Sequence, residues 1–149
     1  MKGLQGKVAI VPGGATKMGQ AVVQAFTDAG VRVMVADIAA EAGHAMERDG
    51  VAFQACDLRR DAEIAALVAA TKKKFGRIDF LVNVACSYLD NGAETTRADW
   101  LTALDINIVG SVMLMQAARA ELAATKGAIV NFGSISSRVA QTGRWVYPV

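Results

Sequence analysis

The sequence predicts an α/β fold of the Rossmann type, with a doubly wound parallel sheet, from two observations. Short, continuous apolar runs rich in valine and isoleucine recur along the chain, and segments with a helical spacing of apolar residues separate them. Runs without polar alternation are typical of strands buried on both faces, and the strand–helix alternation favours right-handed crossovers. The five predicted strands are residues 7–11, 31–36, 51–56, 78–82 and 128–132.

Four full helices are predicted to flank these strands. The first contains Val22, Phe26 and Ala29 on one face, the second is a thin, alanine-rich stretch over 39–49, and the third covers 64–75. The fourth, over 99–122, has the strongest periodicity. Its apolar face is formed by Leu101, Leu104, Ile108, Val112, Met115 and Leu122. A further helix is expected to begin near the end of the chain.

Composition excludes several classes of protein. The chain has 149 residues, is 53% hydrophobic and carries a formal net charge of +2, which gives no reason to expect disorder or nucleic-acid binding. Two cysteines form neither a disulfide framework nor a zinc spacing. The N-terminus lacks the pattern of a signal peptide, and we read no apolar run as long enough to cross a membrane. We therefore expect a cytoplasmic protein without membrane or nucleic-acid partners.

Polar and glycine residues gather where the predicted strands end. After the first strand, the turn from Gly13 to Gly19 opens directly into a helix, and its backbone can approach a pyrophosphate. Asp37 ends the second strand, eighteen residues beyond Gly19, where a carboxylate can accept both hydroxyls of an adenosine ribose. Asp57 and Asn83 follow the third and fourth strands. Each could equally be a turn or helix-cap residue, but four in register favour a dinucleotide site.

The same residues favour NAD as the cofactor. A carboxylate at Asp37 would repel the 2′-phosphate of NADP. Lys17 argues weakly the other way, because a cation near this turn could contact that phosphate. It could also neutralise a pyrophosphate, against a helix-dipole cost of about 0.3–1 kcal/mol. The effect of Asp37 is the more direct, so NAD is expected and NADP is the less favoured alternative.

The chain resembles the short-chain dehydrogenase/reductase family, of the classical type, along its whole length. The motifs keep the family's order and spacing, including the thirteen positions from Ser134 to Tyr147. They are Gly13 and Gly19, Asp37, Asp57 and Leu58, Asn83 to Ala85, Asn107 to Gly110, Gly127 to Ser134, and Tyr147 with Pro148. The resemblance implies a Rossmann-type sheet and hydride transfer between a nicotinamide and the carbon of a small alcohol or ketone.

The resemblance also implies roles for individual residues. Tyr147 is the expected acid/base, Ser134 orients the substrate, and Asn107 supports a water in the proton relay. Because a free tyrosine has a pKa of about 10, nearby positive charge is needed to favour its phenolate. The expected cofactor-binding residues are Gly13, Gly14, Lys17, Met18, Gly19, Asp37, Ile38, Asp57, Leu58, Asn83, Val84 and Ala85. No metal site is expected.

Three positions depart from the family's pattern. Pro12 stands where a threonine is usual, Lys17 replaces the middle glycine, and Cys86 replaces a glycine. Because all three alter the cofactor turn, a non-catalytic nucleotide-binding or regulatory relative is the alternative to an enzyme. The loop over 87–98, which contains Tyr88 and Asp90, is expected to line the other wall of the substrate pocket.

The family's lysine, four positions after the tyrosine, would fall beyond Val149. We therefore expect residues 1–149 to be the dinucleotide-binding, N-terminal part of a longer single-domain enzyme, either as part of a longer chain or as a fragment, rather than a natural truncation. We expect the piece alone to have little dehydrogenase activity and residues 128–132 to form an exposed sheet edge. The full-length protein is expected to form a homodimer or homotetramer.

Overall fold

The computed structural model describes residues 3–147 and contains a five-stranded parallel sheet with the order β3-β2-β1-β4-β5. The strands are β1 Val8–Pro12, β2 Arg32–Asp37, β3 Val51–Ala55, β4 Phe80–Asn83 and β5 Ala128–Asn131. All five predicted strands are confirmed, with bounds that differ by at most two residues. The order reverses between β1 and β4, which is the place where open α/β sheets bind their ligands.

Five helices flank the sheet in the described part of the chain. They are α1 Lys17–Asp28, α2 Ala40–His44, α3 Asp61–Phe75, α4 Arg97–Leu104 and α5 Ser111–Thr125. A π-helical segment, Asp105–Gly110, joins α4 to α5, and 3₁₀ turns occur at Gly92–Glu94 and Ile135–Ser137.

The core lies on both faces of the sheet. On one face, Ile10, Met34 and Leu81 pack against residues of α3 and α5 such as Leu67 and Leu114. The other face packs against α1 and the segment that follows α2, through the residues Val11, Val33, Val35, Phe53, Val23, Phe26 and Met46. Burial on both faces explains why β1 to β4 are continuously apolar, whereas β5 is exposed.

The second predicted helix is much shorter than 39–49. Only Ala40–His44 is helical, because Gly43 and the alanines offer little to bury and Gly43 lies against the ring of Phe53. The chain then turns, and Arg48 pairs with Val51 at the start of β3.

The long helix is present, but its predicted apolar face is buried only in part. Leu101 is 59% exposed and Ile108 is 45% exposed, whereas Leu122 of the same face is buried. The other buried residues of the helix, Ala103, Leu114 and Ala118, lie outside the predicted face. The helix is apolar on two sides, so its periodicity located the helix without deciding which side meets the sheet.

The apolar length of the long helix and the end of the described chain also bear on the predictions. The helix from Arg97 to Thr125 is long and apolar enough to cross a membrane by length and composition, with a mean hydropathy of 1.4, contrary to our reading of the sequence. The π-helical segment makes it continuous, and its second half, α5, packs against α3 and β4. The helix expected near the end of the chain is not formed up to Tyr147, and Pro148 lies outside the described residues.

Candidate active site

The carboxyl ends of β1, β2, β3 and β4 surround a cavity of about 410 Å³, which we call the first cavity. Six of the predicted cofactor-binding residues line it: Gly13, Asp37, Ile38, Asp57, Leu58 and Ala85. Because these residues come from four separate strand ends, the parallel sheet alone brings them together.

The glycine turn after β1 borders this cavity and packs closely against the backbone that follows β4. Gly13 has a φ of +74°, and a Cβ added there would lie 2.5 Å from the backbone nitrogen of Ala85. Thr16 caps α1: its hydroxyl donates to the Gly13 carbonyl (2.7 Å) and accepts from the Gly19 N–H (3.1 Å). A Cβ at Gly19 would overlap the backbone of this turn. Backbone therefore lines the cavity at the start of α1, which fits a pyrophosphate.

Asp37 joins the end of β2 to the glycine turn. Its Oδ2 accepts a hydrogen bond from the Ala15 N–H (3.1 Å), and its Oδ1 accepts one from the Ala39 N–H (3.1 Å). Each oxygen of a carboxylate has about two acceptor positions, so this carboxylate retains capacity for the hydroxyls of a ribose.

Arg59 is a residue of the first cavity that the sequence reasoning missed. Its guanidinium donates to both oxygens of Asp57, at 2.6 Å for the shortest contact, and this pair lowers the pKa of Asp57. The N–H of Asp57 in turn donates to Glu63 (2.8 Å). Arg59 stands two residues after Asp57, which is a weak sequence signal for such a pair.

The remaining predicted cofactor residues lie apart from the first cavity. Gly14 packs behind the turn, Lys17 is exposed at the start of α1, and Met18 and Val84 line a second cavity. Asn83 lines neither cavity: it is buried, and its Nδ2 donates to Asn131 Oδ1 (2.7 Å) on β5. Its Oδ1 has no hydrogen-bond partner among the residues that the structure describes.

The second cavity, of about 230 Å³, adjoins the first and contains all three predicted catalytic residues. Asn107 comes from the π-helical segment, Ser134 follows β5, and Tyr147 closes the described chain. Ala85 and Cys86 line both cavities. A ligand that fills the first cavity therefore borders the second.

Asn107 is tied to the loop after β4. Its Oδ1 accepts from the Ser87 N–H (2.6 Å), and its Nδ2 donates to the Ser87 carbonyl (3.1 Å). The side chain thus pairs with one backbone unit in both directions. The π-helical segment places it there, as π-bulges frequently do at functional sites.

Ser134 and Tyr147 both line the second cavity. The Ser134 hydroxyl donates to Ser136 Oγ (3.0 Å) and accepts from the Ser136 N–H (3.1 Å), so it also caps the following 3₁₀ turn. The ring of Tyr147 packs against that of Tyr88, with centroids 4.9 Å apart and planes tilted by 30°.

Two groups of this wall are protonated at neutral pH, since the ordinary pKa values of a phenol and a thiol lie above 7. Partial desolvation raises the pKa of Tyr88, although its side chain is largely exposed, and the neighbouring Cys86 and Tyr147 raise it further. Partial desolvation also raises the pKa of the exposed Cys86 thiol, against a smaller lowering by Tyr88. Cys86 is therefore a poor nucleophile here, because the thiolate is the reactive form.

Several known proteins are similar to this chain in sequence and in fold. The chain is 34% identical over 140 residues to the L-fucose dehydrogenase of Oryctolagus cuniculus, and the match covers 91% of this chain and 49% of that protein. It is 37% identical over 145 residues to the D-threitol dehydrogenase of Mycolicibacterium smegmatis, covering 92% of this chain and 56% of that protein. The chain thus spans about half the length of the curated relatives it matches.

The fold is shared with the crystal structure of a 3-ketoacyl-(acyl-carrier-protein) reductase from Brucella melitensis complexed with NADH. The TM-score is 0.90 at 21% sequence identity, over 97% of this chain and 64% of that one. Residues 13–149 also match the family model described as enoyl-(acyl carrier protein) reductase, one of the short-chain dehydrogenase/reductase models. Since that match covers nearly the whole sequence, this chain belongs to the short-chain dehydrogenase/reductase family.

Proposed function

We propose that the full-length protein is an oxidoreductase that transfers a hydride between NAD(H) and the carbon of an alcohol or carbonyl substrate, with Tyr147 as the acid/base. The observation that carries the proposal is the junction of the two cavities at Ala85 and Cys86. One cavity has the residue types that suit a dinucleotide, and the other has a phenol, a serine hydroxyl and an amide around a small volume.

The first cavity would hold the dinucleotide through groups already in place. Asp37 would accept the hydroxyls of the adenosine ribose, Asp57 and Leu58 would contact the adenine, and the turn at Gly13 would receive the pyrophosphate. The bound nicotinamide supplies or accepts the hydride.

Residues of the second cavity would transfer the proton to or from the substrate oxygen. The Tyr147 hydroxyl would give its proton to the oxygen of a carbonyl being reduced, and the Tyr147 phenolate would receive the proton of an alcohol being oxidised. The Ser134 hydroxyl, which donates to Ser136 Oγ in the structure, would turn to donate a hydrogen bond to the same substrate oxygen and hold it in place. Asn107, fixed by Ser87, would support a water that connects the phenol to solvent.

NAD is the proposed cofactor, with NADP less favoured. Asp37 lines the first cavity and would repel a 2′-phosphate. Arg59 lines it too, but its charge is engaged by both oxygens of Asp57. Lys17 is exposed and does not line the first cavity. A contact between Lys17 and the 2′-phosphate of NADP is therefore less favoured than the sequence indicated.

The names of the relatives suggest which substrates to test first. L-fucose dehydrogenase and D-threitol dehydrogenase make small polyhydroxylated alcohols the natural starting set. We also propose a cytoplasmic homodimer or homotetramer. The exposed apolar residues Leu101, Ile108 and Val112 of the long helix support self-association.

The experiment is alcohol-dependent formation of NADH by the full-length protein, with Tyr147→Phe as the test variant. We expect Tyr147→Phe to lower kcat by about 100- to 10,000-fold, the range of general acid–base catalysis, while NADH still binds. Tyr88→Phe is the matched control, because it removes the neighbouring hydroxyl, and we expect it to lose far less. Equal losses in the two variants would contradict the assignment of Tyr147.

The same assay separates an enzyme from a non-catalytic relative. NADH binding, seen as quenching of tryptophan fluorescence, without turnover of any alcohol would favour the nucleotide-binding alternative. This alternative is supported by Cys86, which departs from the family's pattern and lines both cavities. Residues 1–149 alone should show little turnover, and steady reduction of a ketone by this piece would refute that.

A further inference from the structure

The loop after β4 and the segment that carries Tyr147 meet at a single carboxylate. Asp90 Oδ2 accepts hydrogen bonds from the backbone N–H groups of Trp145, Val146 and Tyr147, each at 2.9 Å. Its Oδ1 accepts from Trp145 and Gly92, both at 3.0 Å. The first three donors lie 55 to 57 positions away along the chain, so the contact is tertiary and not a local turn.

The chemistry of this contact suits a carboxylate in particular. Consecutive N–H groups that face one point resemble the first turn of a helix or a backbone nest, and both favour an anion. Desolvation acts to raise the pKa of Asp90, but the N–H groups of Trp145, Tyr147, Gly92 and Val146 outweigh it and lower the pKa to about 2. Asp90 is therefore ionised at neutral pH, and its hydrogen bonds are charge-assisted.

Two further contacts hold the same segment. The ring of Tyr88 packs against the ring of Tyr147. Gly92 has a φ of +55°, and a Cβ added there would lie 3.1 Å from the Gly143 carbonyl oxygen, so the two backbones approach closely. Val146 is 3% exposed and anchors the segment between them.

We infer that Asp90 is a positioning residue for the acid/base: by holding the backbone of Trp145 to Tyr147, it fixes where the Tyr147 phenol lies in the second cavity. The inference rests on the proposed function of Tyr147. Asp90 itself touches backbone only, so it acts through the tyrosine and not on the substrate.

The first test is Asp90→Asn in the full-length protein. The variant keeps the size of the side chain, but its NH₂ group must face at least one N–H donor in either orientation. We expect kcat to fall at least tenfold, towards the ~100-fold that a 1 Å displacement of a reacting group can cost. NADH affinity should stay within twofold, because Gly13 and Asp37 line the other cavity. Glu94→Gln is the matched control: it removes the same charge from an exposed position of the same loop.

A double-mutant cycle separates positioning from a general structural role. If Asp90 acts through the phenol, Asp90→Asn should cause no further loss of kcat in the Tyr147→Phe background. The same fold-loss in both backgrounds, or a kcat within twofold of the wild type for Asp90→Asn alone, would overturn the inference.

Amide hydrogen exchange tests the contact without using activity. In the wild-type protein, the N–H groups of Trp145, Val146 and Tyr147 should exchange more slowly than those of the exposed Thr142 and Gly143. Unprotected exchange at all three would overturn the inference even if Asp90→Asn failed to fold. If the wild-type protein turns over no alcohol or ketone, the proposed function fails, and the exchange experiment still decides whether the contact exists.

Discussion

In the function we propose, Asp37 is the residue that favours NAD over NADP. It lines the first cavity and also accepts the Ala15 and Ala39 N–H groups, so its proposed recognition role is combined with a structural one. A substitution that removes its charge but keeps an acceptor oxygen can separate the two. Asparagine does this in part: its amide oxygen can still accept from Ala15, while its NH₂ group then faces the Ala39 N–H.

We expect Asp37→Asn to narrow the preference for NAD over NADP by about tenfold or more, since removing one repulsive charge at the 2′-phosphate is worth roughly 1.4 kcal/mol or more. The dissociation constants of NADH and NADPH can be compared by quenching of tryptophan fluorescence. Asp49→Asn, at an exposed position outside both cavities, is the control. An unchanged ratio of the two constants for Asp37→Asn would show that another group discriminates between the cofactors.

Single residues also mark the limit of what the sequence could predict. Asp37, Asp57 and Gly13 follow strand ends, and their convergence comes from the parallel sheet. Asp90 was placed only in a loop expected to border the pocket, because no pattern shows that its partners lie 55 to 57 positions away. Asn83 also follows a strand end, yet it pairs with Asn131 on the neighbouring strand, a register that only the structure reveals.

At the scale of elements, Asp79 joins the amino ends of β1 and β4 at the end of the sheet opposite the site. Its carboxylate accepts the Val8 N–H (3.0 Å), pairs with Lys7 (3.1 Å) and receives two hydrogen bonds from Arg77 (2.6 and 2.8 Å). Asp79 is 1% exposed. Desolvation acts to raise its pKa, but the bonds from Arg77, Lys7 and Val8 outweigh it, and the pKa is lowered.

We expect Asp79→Asn to reduce the free energy of unfolding at pH 7 by about 2 kcal/mol, less than for a fully buried pair, because Lys7 and Arg77 are partly exposed. A lowered pKa in the folded state gives stability that is present above the unfolded value of about 3.9 and is lost as the pH falls below it. Urea unfolding should therefore show a smaller loss of stability for Asp79→Asn than for the wild type between pH 6 and pH 3. Parallel losses in the two proteins would contradict the assignment.

The long helix shows why elements are easier to predict than their environments. Its apolar spacing predicted a helix over 99–122, and the structure has a continuous helix over a slightly longer range. Neither the π-helical segment nor the buried face followed from the spacing. Both depend on tertiary contacts, namely the pairing of Asn107 with Ser87 and the packing of Leu114 against the sheet.

At the scale of the whole molecule, the sheet explains both the site and an exposed edge. The order β3-β2-β1-β4-β5 places the two cavities beside the switch point between β1 and β4. The same order leaves β5 paired only with β4 among the described residues. Ile129, Val130 and Phe132 are 41%, 50% and 47% exposed, so the edge is apolar as well as unpaired.

We expect the polypeptide of residues 1–149, prepared by itself, to self-associate through this edge. Sedimentation velocity at micromolar concentration should show oligomers, and Val130→Lys should shift the distribution towards the monomer. Val139→Lys, at a similarly exposed position outside the sheet, is the control and should have little effect. If the unsubstituted polypeptide is monomeric, the β5 edge does not drive self-association.

In the function we propose, the carboxyl ends of the parallel strands hold NAD(H) beside Tyr147, and a crystal structure of the full-length protein grown with NADH would show whether they do. We expect the adenosine ribose on the Asp37 carboxylate, the pyrophosphate against the turn at Gly13, and the nicotinamide in the cavity that contains Ser134 and Tyr147. NADH bound elsewhere on the molecule, or in these cavities with its nicotinamide remote from Tyr147, would contradict it.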